Sequence, residues 1–185
     1  MVSVGSLLKG LFLAYLSKPA GDRAAYRLIR RKHVRSIVEF GLGDARRAVR
    51  MIRLAQDSQD AGVSYTGIDL FELRPAQGDA RLSLKQVYQR LRSTGARIRL
   101  LPGDPLAALT RSANDLTGTD LVVISADQDA ASLRRAWFYL PRMLGPQSTV
   151  LVESTGDSGA TVLRPLPPSE INSRAAATTS RRRAA

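Results

Sequence analysis

The sequence predicts an α/β fold: an open, mostly parallel sheet with helices on both faces. Three observations carry this reading. Short β-branched runs alternate along the chain with stretches whose apolar residues recur at helical spacing. Helix-forming segments separate consecutive runs, as parallel neighbours require for their crossovers. Four successive runs deliver an acid to their carboxyl ends, which places those acids along one edge of the sheet.

The elements follow in order. Residues 4–16 read as a short amphipathic helix and residues 20–33 as a second, with Ala24, Ala25, Leu28 and Ile29 on its apolar side. The first strand spans 34–40. It breaks into Gly41-Leu42-Gly43-Asp44, a tight turn where glycine tolerates positive φ and has no Cβ to block a ligand. A helix from Asp44 to about Asp60 turns Val49, Ile52 and Ala55 inward; Arg46, Arg47, Arg50 and Arg53 form its solvated face. Gly62 precedes a second strand, 63–68, that ends at Asp69. Residues 80–93 place Leu84, Val87, Tyr88 and Leu91 at helical spacing, and Gly95 ends that helix. A third strand, 97–101, stops at Pro102-Gly103-Asp104, and a short helix follows over 106–112. The fourth strand, 120–125, is the most apolar segment. A helix over 130–144 leads to a fifth strand at 149–153.

Beyond Gly156 the composition turns to Pro, Ser, Ala and Arg without a core-forming pattern. The division expected is an N-terminal helical basic segment over 1–33, an α/β domain over 34–166 and a disordered basic tail over 167–185.

At 185 residues the chain has length for one domain with a real core. It contains no cysteine, which excludes disulfides, thiol catalysis and cysteine-based metal sites. No apolar run approaches the ~20 residues that cross a bilayer, and the apolar stretch 11–16 is too short for a signal segment. A cytoplasmic protein is expected. The net charge of +12 is uneven: residues 1–53 hold twelve Lys or Arg against three acids, and residues from 174 onward hold four Arg and no acid. Such ends suit an anionic partner or plain solubility; no aromatic residues interleave with the arginines, so nucleic acid is not favoured.

The strand-end residues concentrate the chemistry. An acid after the second strand is placed to accept both hydroxyls of a ribose, which makes Asp69 the first candidate. Helix N-capping is the competing use for Asp69, for Asp104 ahead of Pro105, and for Asp127 and Asp129 ahead of Ala130. His33 reads as a surface residue, and the consecutive Trp137, Phe138 and Tyr139 as core packing.

Taken together, the ordered set resembles the class I S-adenosylmethionine-dependent methyltransferases over residues 34–154. Val38-Glu39-Phe40-Gly41-Leu42-Gly43 is similar to their first motif, Thr66-Gly67-Ile68-Asp69 to the second and Pro102-Gly103-Asp104 to the third. The fourth strand through Asp127, with the helix that leads to Leu144-Gly145-Pro146, is similar to the small-molecule O-methyltransferase branch. The resemblance implies a Rossmann-like sheet and S-adenosylmethionine as cofactor. It would set Glu39, Gly41 and Gly43 at the methionine end, Asp69 on the ribose and Asp104 at the adenine. Asp127 would orient or deprotonate the acceptor. Three departures stand out. Ala45 replaces a third glycine, Ser125 and Gln128 replace an acid and a histidine around Asp127, and only 160–163 is available for a closing antiparallel pair. The C-terminal β-hairpin is therefore expected to be shortened or absent, and no metal is expected.

The function expected is methyl transfer to an oxygen or nitrogen of a small molecule. An inactive scaffold of the same fold is the alternative, and an NAD-dependent oxidoreductase ranks below both. The apolar residues Leu7, Leu8, Leu11, Phe12 and Tyr15 suit a lid over the site, a homodimer contact or a membrane surface.

Overall fold

The computed structural model describes residues 4–58, 62–73, 82–156 and 159–183. Its strands are β1 (Ser36–Phe40), β2 (Ser64–Asp69), β3 (Arg97–Pro102), β4 (Thr119–Ile124), β5 (Leu144–Thr155) and β6 (Thr161–Leu166). Its helices are α1 (Val4–Tyr15), α2 (Arg23–Arg31), α3 (Arg46–Asp57), α4 (Leu84–Arg92), α5 (Pro105–Ser112), α6 (Ala130–Ala136), α7 (Leu140–Met143) and α8 (Pro168–Arg183). The expected ends of the third and fourth helices, at Asp60 and residue 80, fall outside the described residues.

The strands form one sheet in the order β3-β2-β1-β4-β5-β6. All neighbours pair in parallel except β5 and β6, which are antiparallel. Strand order reverses between β1 and β4, so a crevice opens above those two strands, where α/β sheets hold their ligands. β3 and β6 are the outer strands.

Alternation along β1 divides the core into two layers. Ile37 joins Leu13, Tyr26, Ile29, Met51 and Ile52 beneath α1–α4. Val38 and Phe40 join Leu109, Trp137, Leu140 and Met143 on the opposite face. The central strands are buried on both sides, which is why they read as continuous apolar runs. Because Ala14, Ala25 and Tyr26 are fully buried in the first layer, α1 and α2 share the core of the sheet. Local chemistry sets the helix starts: Ser83 and Gln86 form a reciprocal capping box on α4, and Asp104 caps α5 ahead of Pro105.

Two C-terminal features refine the expectations. The sheet closes with one antiparallel strand, β6, in register with β5 from Val150↔Leu166 to Thr155↔Thr161. This is the shortened ending: among the described residues no further strand follows. The disordered tail, by contrast, is corrected: residues 168–183 are the helix α8. Ile171 buries itself in the second core layer, and the Thr178 hydroxyl donates to the Arg134 carbonyl at 2.9 Å. Arg174 lies 4.8 Å over the Trp137 ring and pairs with Glu170 one turn earlier. A single apolar anchor leaves no periodic signal, so composition alone missed it.

Ile171→Ala should therefore destabilise the fold by about 2–4 kcal/mol in urea unfolding. An undocked α8 would leave the midpoint unchanged.

Candidate functional site

The glycine turn after β1 is held by its neighbours. Gly41 N–H donates to the Ile68 carbonyl at 2.9 Å, and Leu42 N–H donates to Asp69 Oδ2 at 2.8 Å. Gly41 has φ 79°, and a Cβ there would lie 2.9 Å from Ser125 Cβ, an atom fixed to its own backbone. Only glycine fits. Gly43, with φ 55°, faces open space. Ala45 also takes a left-handed conformation, φ 58°, which costs an L-residue roughly 1–2 kcal/mol. The turn is thus closed in the geometry of a third glycine without having one.

Each predicted acid has a defined position. Asp69 is buried, its second oxygen accepts Phe71 N–H at 3.3 Å, and its own carbonyl accepts Gly103 N–H at 2.9 Å. It braces the turns after β1 and β3, while Ser83 caps the next helix. Asp104 caps α5 by accepting Ala107 N–H at 3.0 Å and also accepts the Ser132 hydroxyl. Burial pushes its carboxyl up, but the Ser132 hydroxyl and the Ala107 and Leu106 N–H groups outweigh that and hold it below the usual range. Asp129 caps α6 through Ser132 N–H. Asp127 is exposed and accepts Gln128 Nε2 at 2.9 Å. With Gly41, Leu42 and Gly43 it opens onto a cavity of about 590 Å³.

Arg47 requires a correction. Expected on the solvated face of its helix, it turns inward beneath the glycine turn, where its side chain is only 12% exposed. Its Nε donates to Glu39 Oε1 at 2.6 Å; one terminal nitrogen reaches Asp22 at 3.4 Å and Glu153 at 3.5 Å. The other donates to the Gly41 carbonyl at 3.2 Å and to the Ser125 hydroxyl. A guanidinium has five N–H donors, and all five are engaged. Glu39 is fully buried, so it faces Arg47 and the Tyr65 hydroxyl (2.5 Å) rather than the cavity.

This cluster sets three carboxylates against one cation. Burial raises the carboxyls of Glu39 and Asp22 above their ordinary values, and Arg47 only partly offsets that. Burial also works against the charge of Arg47, but Glu39, Asp22 and Glu153 outweigh it and leave its pKa above normal. The Tyr65 hydroxyl is pushed up by burial and then by Glu39.

The sequence therefore located Gly41, Gly43 and Asp127 at one cavity. Asp69 reaches that cavity through Leu42 N–H, and Asp104 lies one strand further along the rim. It missed Asp22, Arg47 and Glu153. The signal for Arg47 was its position four and eight residues before Met51 and Ala55, on the buried stripe of α3.

No family model and no curated protein sequence matches the chain. Solved structures do. Over 96% of its length the chain superposes on the O-methyltransferase TomG from Streptomyces achromogenes, determined in complex with SAM, with a TM-score of 0.56 at 15% identity. It covers 77% of that protein. An O-methyltransferase from Bacillus cereus in complex with SAH matches over 85% of this chain and 69% of its own, with a TM-score of 0.54 at 15% identity. A candidate caffeoyl-CoA O-methyltransferase from Staphylococcus aureus matches over 81% with a TM-score of 0.53 at 16% identity, and the chain spans 66% of it. The chain thus shares its fold with these O-methyltransferase structures, as the motif order implied.

Arg47→Met strands the buried carboxyls of Glu39 and Asp22 and the part-buried one of Glu153, and we expect it to cost about 3–5 kcal/mol near neutral pH. A carboxyl whose pKa is raised on folding takes up a proton with the fold, so it favours the folded chain on the acid side. That contribution is lost as pH rises through the raised value. Urea unfolding of the variant should therefore recover part of the loss between about pH 8 and about pH 5. A deficit independent of pH would contradict the charge assignment.

Proposed function

We propose that this chain binds S-adenosylmethionine along the rim of β1, β2 and β3 and serves methyl transfer to an oxygen or nitrogen of a small-molecule acceptor. The observation that carries the reading is the hydrogen bond from Leu42 N–H, inside the glycine turn, to the buried Asp69 carboxylate, within a fold shared with methyltransferases.

The residues present fit the cofactor. Asp69 is oriented by the Leu42 and Phe71 N–H groups at the carboxyl end of β2, beside the glycine turn, where a pair of ribose hydroxyls would lie. Asp104, held ionised by its capping contacts, would accept an adenine amino group. Gly43 leaves open space beside the turn. Gln128 and Asp127, which lie over Gly41, are side-chain ends that turn aside at little cost. Below them, Arg47 holds Asp22, Glu39 and Glu153, and Lys18, Arg46 and Arg50 stand with Asp44 and Asp127 on the same cavity wall, so the lining carries both signs of charge. Glu39 supports the turn from beneath, through Arg47, without facing the ligand.

When bound, the cofactor supplies a methyl group on a sulfonium centre for in-line displacement. The protein's own part is positional: it holds donor and acceptor together, which supplies most of the acceleration in such a displacement. Asp127, exposed at the cavity mouth, is the group that would orient an acceptor and take its proton. The single closing strand β6 leaves the wall on the acceptor side short.

Asp69→Ala should weaken S-adenosylhomocysteine binding by about 1–3 kcal/mol in calorimetry, with Asp69→Asn as the control for folding. An unchanged affinity would refute the ribose assignment. Asp127→Asn should lower transfer to phenol and amine acceptors by about 10²-fold while leaving that affinity intact. Wild-type protein that binds the cofactor and methylates none of a broad acceptor panel would instead be a binding module of the same fold.

A further inference from the structure

Helix α1 carries two apolar faces, and the fold uses only one. Gly10, Leu13 and Ala14 are buried against α2 and α3; a Cβ on Gly10 would stand 3.2 Å from Leu54 Cδ1. The other face runs through Leu7, Leu11 and Tyr15 to Leu8 and Phe12, residues that share one side of a helix at 100° per residue. It is open: Leu8 is 61% exposed, Phe12 54%, and Leu16 just beyond the helix 67%. Isolated exposed leucines need no explanation, but a continuous stripe of this length marks a contact surface.

Charge chooses its occupant. Residues 1–33 hold seven Lys or Arg and one acid, and that acid, Asp22, is already engaged by Arg47. Lys9 and Lys18 are exposed beside the stripe. Along α2, the helix on which α1 packs, Arg23, Arg27, Arg30 and Arg31 recur at i, i+4, i+7 and i+8 and so share one face. A two-fold dimer would set this basic surface against itself, because an isologous contact repeats the same patch on both sides. An anionic bilayer neutralises it while taking up the apolar stripe, with tyrosine and lysine at the headgroup level.

We propose that α1 docks this protein on an anionic phospholipid surface, lying in the interface with Leu7, Leu8, Leu11 and Phe12 in the acyl boundary. No helix among the described residues is long and apolar enough to span a membrane, so the attachment is peripheral. Lys18 and Pro19, immediately after α1, line the cavity beside the glycine turn, and the Lys18 carbonyl is fixed by Arg50 at 2.8 Å. Docking therefore holds one edge of the cavity, at Lys18 and Pro19, within four residues of the lipid-facing helix. The inference stands on α1 and α2 alone and needs no cofactor.

The test is co-sedimentation of the full chain with phosphatidylcholine vesicles, with and without about one third phosphatidylglycerol. Binding should require phosphatidylglycerol and weaken with salt. Leu8→Gln/Phe12→Gln should lower it by about tenfold or more, and Arg27→Gln/Arg31→Gln should also lower it. All four side chains are exposed, so thermal unfolding of both variants should match the wild type. Absence of binding to phosphatidylglycerol vesicles, or binding untouched by Leu8→Gln/Phe12→Gln, overturns the proposal. So does a wild-type dimer in sedimentation velocity that this double variant dissociates.

Discussion

The rim of this sheet depends on one guanidinium. Arg47 links the end of β1 (Glu39 and the Gly41 carbonyl), the residue after β4 (Ser125), the end of β5 (Glu153) and the short turn before α2 (Asp22). Each of these carboxylates meets a second donor as well: Tyr65 on Glu39, Tyr26 on Asp22, and Ala126 N–H on Glu153. A buried pair of this kind adds little net stability compared with apolar packing, but it is intolerant of losing one partner. It therefore fixes geometry more than it adds stability. It sets where the glycine turn sits relative to the fourth and fifth strands.

That geometry gives the site its division of labour. The residues with the strongest electrostatic coupling, Glu39 and Arg47, are occupied with each other and form the floor. The groups around the cavity are less conspicuous: the open side of Gly43 and the exposed carboxylate of Asp127, with Asp69 and Asp104 at the ends of the neighbouring strands. Asp69 joins the two halves, since it holds the Leu42 amide on one side and, through its own carbonyl, the Gly103 amide on the other. A side-chain substitution here releases the Leu42 amide, while the backbone carbonyl keeps Gly103.

Much of this was legible in the sequence, for physical reasons. Strands buried on both faces write themselves as apolar runs, as 121–124 does, and a positive-φ turn declares itself through Gly41 and Gly43. Asp104 before Pro105 announced a helix start and proved to be one. Arg47 was not legible, because a charged side chain on a helix is read as solvated unless its partners are known. Those partners lie 8, 25 and 106 residues away. The docked helix α8 was hidden for a related reason: one isoleucine, one threonine hydroxyl and an arginine over a tryptophan carry it, and none of these makes a pattern. Ala45 shows the reverse case, where the departure from a third glycine was visible but the left-handed backbone it must adopt was not.

The two outermost strands carry a consequence for life at high concentration. Along β3, Arg97 and Arg99 are exposed and Pro102 offers no N–H; along β6, Arg164 and Pro165 do the same. Like charges and missing donors make a poor template for pairing with another copy, so neither border invites edge-to-edge stacking into fibrils. The six-stranded sheet thus has borders policed by repulsion instead of by cover.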